Sequence, residues 1–378
     1  MTVTQRKHDV RVVLGGNEVS NWISYAITSS MLDPVDTASL TMPWSRQAWD
    51  LFRKDAPIKI TIDGVVVLDG YLDKRASPPT DDVIAIEARD RCGRLVQESA
   101  PAIDYRGLTL TQLILKLVYP WFTKVTLSNA RNRKLLRGRG KVVLAGNEPV
   151  RIDPRPGGLL CEPGQVRWEV IKQLLDQAGL IAWSAGDGTE LVIGKPNYEQ
   201  DVQWTFFRPA PGSSRAAEGN VGIGVEDSMG DRYSRIVVVG SGAGTTSNYG
   251  PAVASRYGEA KNNSATRDGE GKDFTAPKRL VIQRAVRSVA EARALAAQEM
   301  RRRDATGEAI TVLSPAHGQL VGGTEPTLYC PDTLAHVECE RTGRKGVYLV
   351  TACRYESDRG GGERTTLELV PKGTELST

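Results

Sequence analysis

Between residues 58 and 68 the large apolar side chains fall on every second position and then stop at a turn. Ile58, Ile60 and Ile62 alternate with Lys59 and Thr61, Asp63-Gly64 follows, and Val65 to Leu68 resumes the apolar run. A period of two puts one set of side chains on one face of an extended chain. An Asp-Gly pair between two such runs supplies the left-handed positions of a type I′ hairpin. The chain is thereby committed to antiparallel strand pairs here. Val10, Val12 and Leu14 alternate in the same way before Gly15-Gly16. Tyr71 to Arg75, the turn residues Pro78 to Asp82 and the run Val83 to Ile86 extend the pattern. Short strands at this spacing predict a small antiparallel barrel or sandwich over residues 1–98.

The period then changes. Leu110, Leu113, Ile114 and Leu117 recur at helical spacing up to Pro120. Val170, Ile171, Leu174, Leu175 and Ala178 form a second apolar helical face, with Gly179 placed to end it in the left-handed conformation. Gly186-Asp187-Gly188 turns into a short strand at Leu191-Val192-Ile193, so residues 99–205 predict a middle α/β domain. Residues 206–378 return to strands, at Ile236 to Val239, Ile310 to Val312, Val347 to Val350 and Thr365 to Val370. Within them, 241–277 is rich in Gly, Ser, Asn and Thr and predicts a long, mobile loop. A helix is expected over 288–303. Ser288 and Glu291 form a capping box, Val289, Ala292, Ala296 and Met300 share one face, and Arg301-Arg302-Arg303 complement the negative end of the dipole.

A faint internal echo joins the two ends. Asp63-Gly64-Val65-Val66-Val67-Leu68 resembles Lys345-Gly346-Val347-Tyr348-Leu349-Val350. A turn cluster follows each (Ser77 to Asp81; Ser357 to Gly362), and then a closing strand. The expected fold class is therefore β-rich α+β and multidomain: two small antiparallel β-barrels plus a middle α/β domain. A length of 378 residues suits two or three domains at roughly 150 residues each.

Composition narrows the function classes. No apolar run approaches the roughly 18–20 residues of a membrane helix, and the polar start MTVTQRKHDV predicts no secretory signal. Net charge is +4, far from the dense basic stripe of a dedicated nucleic-acid binder. Arg131, Arg133, Lys134, Arg137, Arg139 and Lys141 do cluster. They lack interleaved aromatics, which favours a solvated loop or an acidic partner over base stacking. Five cysteines, an odd number, predict reduced thiols rather than a disulfide framework. Cys330, His336, Cys339 and Cys353 offer soft ligands without a CxxC pair, and His336 and Cys339 would point to opposite faces of a strand. Gly240-Ser241-Gly242-Ala243-Gly244 follows a strand, as a dinucleotide loop does, but no helix opens after it to meet a pyrophosphate. Ser314 and His317 put a hydroxyl near an imidazole without an orienting acid. Asp81-Asp82 sits in a turn, where Asp serves the backbone. These readings predict no catalytic, cofactor-binding or metal-binding residues.

Several strings, taken in order, resemble the baseplate hub proteins of contractile-tailed bacteriophages, the Mu-like family in particular. They are Gly70-Tyr71-Leu72-Asp73-Lys74-Arg75, Ile86-Glu87-Ala88-Arg89-Asp90, Gly188-Thr189-Glu190-Leu191-Val192-Ile193 and Asp231-Arg232-Tyr233-Ser234-Arg235. The arginine-ended helix Ala292 to Arg303, followed by Ile310-Thr311-Val312, completes the series. The resemblance spans nearly the full chain and departs at 129–165, which is longer and more basic here. It implies a non-enzymatic homotrimer in the virion tail, made in the host cytoplasm. Two similar barrels per chain would form a pseudo-sixfold ring joining a hexameric tail tube protein to a trimeric tail spike protein, among other baseplate components. It implies no membrane insertion and no specific nucleic-acid recognition. The competing readings are a β-rich enzyme of the tail that acts on cell walls, and a nucleic-acid-binding module built on the 131–141 cluster.

Overall fold

The computed structural model describes residues 8–101, 108, 110–128, 161, 164–185, 188, 190–240, 257–262, 277–284, 286, 288–320, 326–358, 361–374 and 376. From the N-terminus come β1 (Val10–Leu14), β2 (Asn17–Val19), β3 (Ser24–Ser30), β4 (Thr37–Pro43), α1 (Arg46–Leu51), β5 (Pro57–Ile62), β6 (Val65–Ala76) and β7 (Val83–Asp90). The middle part holds α2 (Cys92–Gln97), α3 (Leu110–Val118), β8 (Val125–Ser128), α4 (Arg167–Ala178), β9 (Ile181–Ser184) and β10 (Leu191–Gly194). Next are β11 (Val202–Arg208), β12 (Gly222–Asp227), β13 (Arg235–Gly240), β14 (Tyr257–Lys261), β15 (Arg279–Arg284) and α5 (Val289–Thr306). The chain closes with β16 (Glu308–Ser314), β17 (Gly318–Leu320), β18 (Pro326–Leu328), β19 (Thr333–Cys339), β20 (Arg344–Asp358) and β21 (Gly362–Pro371). The chain divides into two compact units, one made mainly of 1–223 and 311–369, the other mainly of 224–310.

In the first unit the alternation read from the sequence becomes burial. Ile58, Ile60 and Ile62 are at most 2% exposed, and each is worth roughly 1.5–3 kcal/mol when fully buried. Asp63 and Gly64 take φ of 49° and 78°, the two left-handed positions that a type I′ turn needs. The strands form one large sheet in the order β21-β20-β3-β4-β7-β6-β5-β1-β2, with β19 also beside β20 and β11 beside β19. The echo has a structural counterpart: β5–β6–β7 and β19–β20–β21 are both meanders around a long central strand. The β3–β4 hairpin joins them, because β3 pairs with β20 and β4 pairs with β7, both antiparallel. Both meanders thus belong to one sheet, and no closed barrel is seen among the described strands.

The middle part follows its periodicity. Leu113, Ile114 and Leu117 of α3 pack with Val170, Ile171, Leu174 and Leu175 of α4 in one apolar core. Gly179 caps α4 at φ 64°. A small sheet, β8-β10-β9, lies beside these helices, with β10 parallel to β8 and antiparallel to β9.

The second unit is a three-stranded sheet, β14-β13-β15, under helix α5. Ala292, Ala296 and Met300 are buried against Ile236 and Val238, as the helical face predicted. Two details differ from the sequence reading. Val289 is 41% exposed, so the packed stripe begins at Ala292. There the β14 backbone comes so close that a Cβ on Gly258 would collide with the Ala292–Arg293 backbone. Arg302 is half-buried rather than free, paired with Glu299 at 2.7 Å, and Arg303 reaches the same carboxylate at 2.6 Å. Burial pushes the Glu299 carboxyl up, and hydrogen bonds from the two guanidiniums outweigh it, leaving Glu299 below its ordinary value. The expected loop 241–277 contains strand β14, paired with β13 from Arg235↔Lys261 to Val239↔Tyr257. Its remaining residues lie largely outside the described ones, as do the basic cluster 131–141, the glycines after Gly240 and the Glu291 side chain.

Candidate functional site: buried polar clusters and an open sheet face

The Ser314–His317 pairing read from the sequence is not made. Ser314 Oγ lies 3.1 Å from the Tyr329 hydroxyl. His317, fully buried, belongs to a different constellation. Its Nε2 is 2.8 Å from the Tyr25 hydroxyl and its Nδ1 is 2.8 Å from Thr365 Oγ1. Its ring stacks on His8 with centroids 4.8 Å apart. The His317 backbone N–H donates to His8 Nε2 at 3.2 Å, so that nitrogen carries the lone pair. The His8 proton then sits on Nδ1, which donates to Asp63 at 2.6 Å. The His8 backbone N–H donates to Glu363 at 3.0 Å.

Burial, with a smaller push from His8, lowers the His317 pKa to about 3, against the opposing pull of Asp63. His317 is therefore a neutral imidazole at physiological pH. Its hydroxyl partner Thr365 is wholly buried, out of a substrate's reach. The cluster fastens the start of β1 to β3, the β5–β6 turn and β21. No local motif announces it, since the two histidines are 309 positions apart.

The soft-ligand group is likewise dispersed in role. His336 is half-buried while its strand neighbours Val337 and Cys339 are buried, consistent with the opposite faces expected of His336 and Cys339. All five cysteines are free thiols. No group of three or more metal-ligating side chains occurs among the described residues. Asp81 and Asp82 are exposed turn residues whose carbonyls accept from Val83 and Trp44. A polar cavity of about 210 Å³ is lined by Ser24, Ser39, Thr41, Glu356, Asp358 and Arg364. Its Glu356 is already held by Arg354 at 2.8 Å and Arg364 at 3.1 Å. No described helix is long and apolar enough to cross a membrane.

The second unit presents a face of another kind. On the side of β13 away from α5, Lys261, Arg235 and Arg279 stand in one cross-strand row. Like charges directly opposite one another are destabilising. Glu259 offsets part of this by pairing with Arg235 and, at 3.8 Å, with Lys261. Beside this row come Val237 and Val239, with Val281 57% exposed and Tyr257 59% exposed. This sheet face therefore has an apolar centre and a cationic border.

A strand-rich chain of this kind, without a convergent catalytic cluster among its described residues, shares its fold with tail proteins of phages and related particles. The tail protein from Neisseria meningitidis MC58 superposes with a TM-score of 0.75 at 20% identity, covering 98% of this chain and 99% of that one. The 43 kDa tail protein of prophage MuSo2 from Shewanella oneidensis gives 0.71 at 17% identity, covering 98% and 99%. An Escherichia coli component of the type VI secretion system, itself described as similar to the T4 tail proteins gp27 and gp5, gives 0.51 at 11% identity over 97% and 78%. Residues 9–91 match the family model of the Mu phage baseplate assembly protein GpP-like, N-terminal. No curated protein matches the chain.

Proposed function

We propose that this protein is the structural hub of a contractile phage-type tail baseplate. In this reading it is a homotrimeric ring that joins the hexameric tail tube to the trimeric spike and contacts other baseplate components. It works without catalytic, cofactor or metal residues, resides in the virion tail and is made in the host cytoplasm. The observation that carries the reading is the likeness of nearly the whole chain to phage tail proteins, together with the baseplate family match over 9–91. Under it, segments 1–98, 99–205 and 206–378 serve as first barrel, middle domain and second barrel. The meanders β5–β7 and β19–β21 are then the counterparts that give three chains a pseudo-sixfold ring. The cationic row Lys261–Arg235–Arg279 would suit an acidic protein surface. Light scattering coupled to size exclusion tests the central claim. The expected mass at high protein concentration is three times 41.1 kDa. A strictly monomeric species over a broad concentration range would overturn it.

A further inference from the structure

The β4–β7 ladder sets Thr37 opposite Arg89, and one step further the Asp90 N–H donates to the Asp36 carbonyl at 3.0 Å. Residues directly opposite in an antiparallel pair share a face, so the two carboxyl groups face the same way. Both are buried, Asp36 at 6% exposure and Asp90 at 2%. Their surroundings treat them differently. Asp36 accepts the Ser29 hydroxyl at 2.9 Å and the Ser30 N–H at 3.0 Å. Neither carboxyl oxygen of Asp90 has a well-formed hydrogen bond, and the Ser184 hydroxyl and the Gly93 N–H are the donors near enough to act on it.

The titratable groups acting on this pair are all acidic. Asp33 comes from the β3–β4 connection, Tyr71 from β6, Cys92 from α2, and Cys353 and Tyr355 from β20. No described Lys, Arg or His makes an ion pair with either carboxylate. Two buried carboxylates without a cation cannot both ionise cheaply. We propose that Asp36 and Asp90 form a proton-binding site, holding one proton between them on Asp90, and that this proton closes the seam between the two meanders. Asp90 keeps its proton to higher pH than Asp36, because the Ser29 hydroxyl and the Ser30 N–H favour the anion at Asp36. The protonated Asp90 gains an O–H donor, and Asp36 opposite is an acceptor.

The location gives the proton its leverage. The β3–β4 hairpin is the bridge from β20 to β7, and its connection is tied to β20 by the Met31 N–H donating to the Thr351 carbonyl at 3.0 Å. Loss of the proton to solvent leaves two like charges at the end of the β4–β7 ladder. Burial above all pushes the Asp36 carboxyl up to about 7, and burial with the Asp36 charge raises Asp90 well above its ordinary value. Between the unfolded carboxyl value of ~3.9 and the raised folded values, the folded chain binds more protons than the unfolded one. Stability is therefore fully present below the unfolded value and is lost as pH rises toward the folded one.

Denaturant unfolding of the full chain at pH 4 to 9, wild type against Asp90→Asn, tests this. The amide copies the protonated acid. The ratio of the wild-type unfolding constant to that of the variant should rise about tenfold per pH unit above ~4 and level off only once the folded Asp90 carboxyl has titrated. A flat ratio would overturn the proposal. Infrared difference spectroscopy on the wild type alone reads the same proton even where the variant does not fold. A buried, protonated carboxyl stretch should be present at pH 6 and weaken as pH rises, and its absence at pH 6 also overturns the proposal. A stabilising shift with Ca²⁺ or Zn²⁺ that Asp90→Asn removes would mean that the pair holds a cation instead.

Discussion

Two of the polar clusters buried in the first unit have opposite electrical characters. Around His317 both ring nitrogens have partners, and the histidine stays neutral. At Asp36 and Asp90 the groups are just as buried, yet Asp90 has no well-formed hydrogen bond and the pair draws in a proton. Burial alone therefore does not decide what a polar group does. A satisfied neutral network fixes one arrangement of the chain, whereas an unsatisfied acidic pair couples the arrangement to pH.

The largest test of this contrast is His317→Phe. The ring volume is roughly kept, while the buried hydroxyls of Tyr25 and Thr365 lose their imidazole partner. Stranding buried polar groups costs about 1–3 kcal/mol each, so a loss of about 2–4 kcal/mol in denaturant unfolding is expected. A loss below about 1 kcal/mol would mean that the network is not what fastens β1, β3 and β21 together.

The next effect is on the shape of the stability profile. The folded pKa of His317 is lowered to about 3, against ~6.5 when unfolded. The unfolded chain then binds the extra proton between those values, so this contribution is present above pH ~6.5 and is lost as pH falls toward 3. The acid pair runs the other way above ~4. The two slopes oppose each other in their shared window, so the acid pair offsets the His317 slope between about pH 4 and 6.5. Asp90→Asn should unmask loss on acidification, and His317→Phe should unmask loss on the alkaline side. If both variants keep the wild-type profile, the contrast between the clusters fails.

What the sequence makes legible follows from how local each signal is. The hairpin at Asp63-Gly64, the α3 and α4 faces and the Gly179 cap rest on neighbours within a few positions, and all appear in the structure. Strand β14 was hidden, because Tyr257-Gly258-Glu259-Ala260-Lys261 has little apolar content. It is held by pairing with β13 and by the close approach that Gly258 permits to α5. The helix phase was read one turn early at Val289 for the same reason, since the distant β14 backbone sets where the contact begins. The polar clusters were invisible. His8 and His317 meet across 309 positions, and Asp36 and Asp90 meet only when β4 pairs with β7. The bridge made by β3 and β4 between the meanders is a long-range pairing of the same kind, with no local signal in the sequence.

The smallest predicted effect separates hydrogen bonds to a charge from hydrogen bonds to a neutral group. Ser29→Ala removes the hydroxyl that donates to Asp36 at 2.9 Å. Thr365→Val removes the hydroxyl at His317 Nδ1, at 2.8 Å. Each should cost about 1 kcal/mol, the usual net worth of a single bond. They should differ in what happens to the carboxyl titration. Removing a donor from the Asp36 anion weakens that anion by about 1 kcal/mol, so the pair's titration should move up by roughly half a pH unit or more. Thr365→Val should leave it where it was, because it touches no charged group. Infrared titration of the protonated carboxyl reads this shift directly. An unchanged midpoint in Ser29→Ala would mean that Ser29 does not hold Asp36 as the anion, and that the proton is not confined to Asp90.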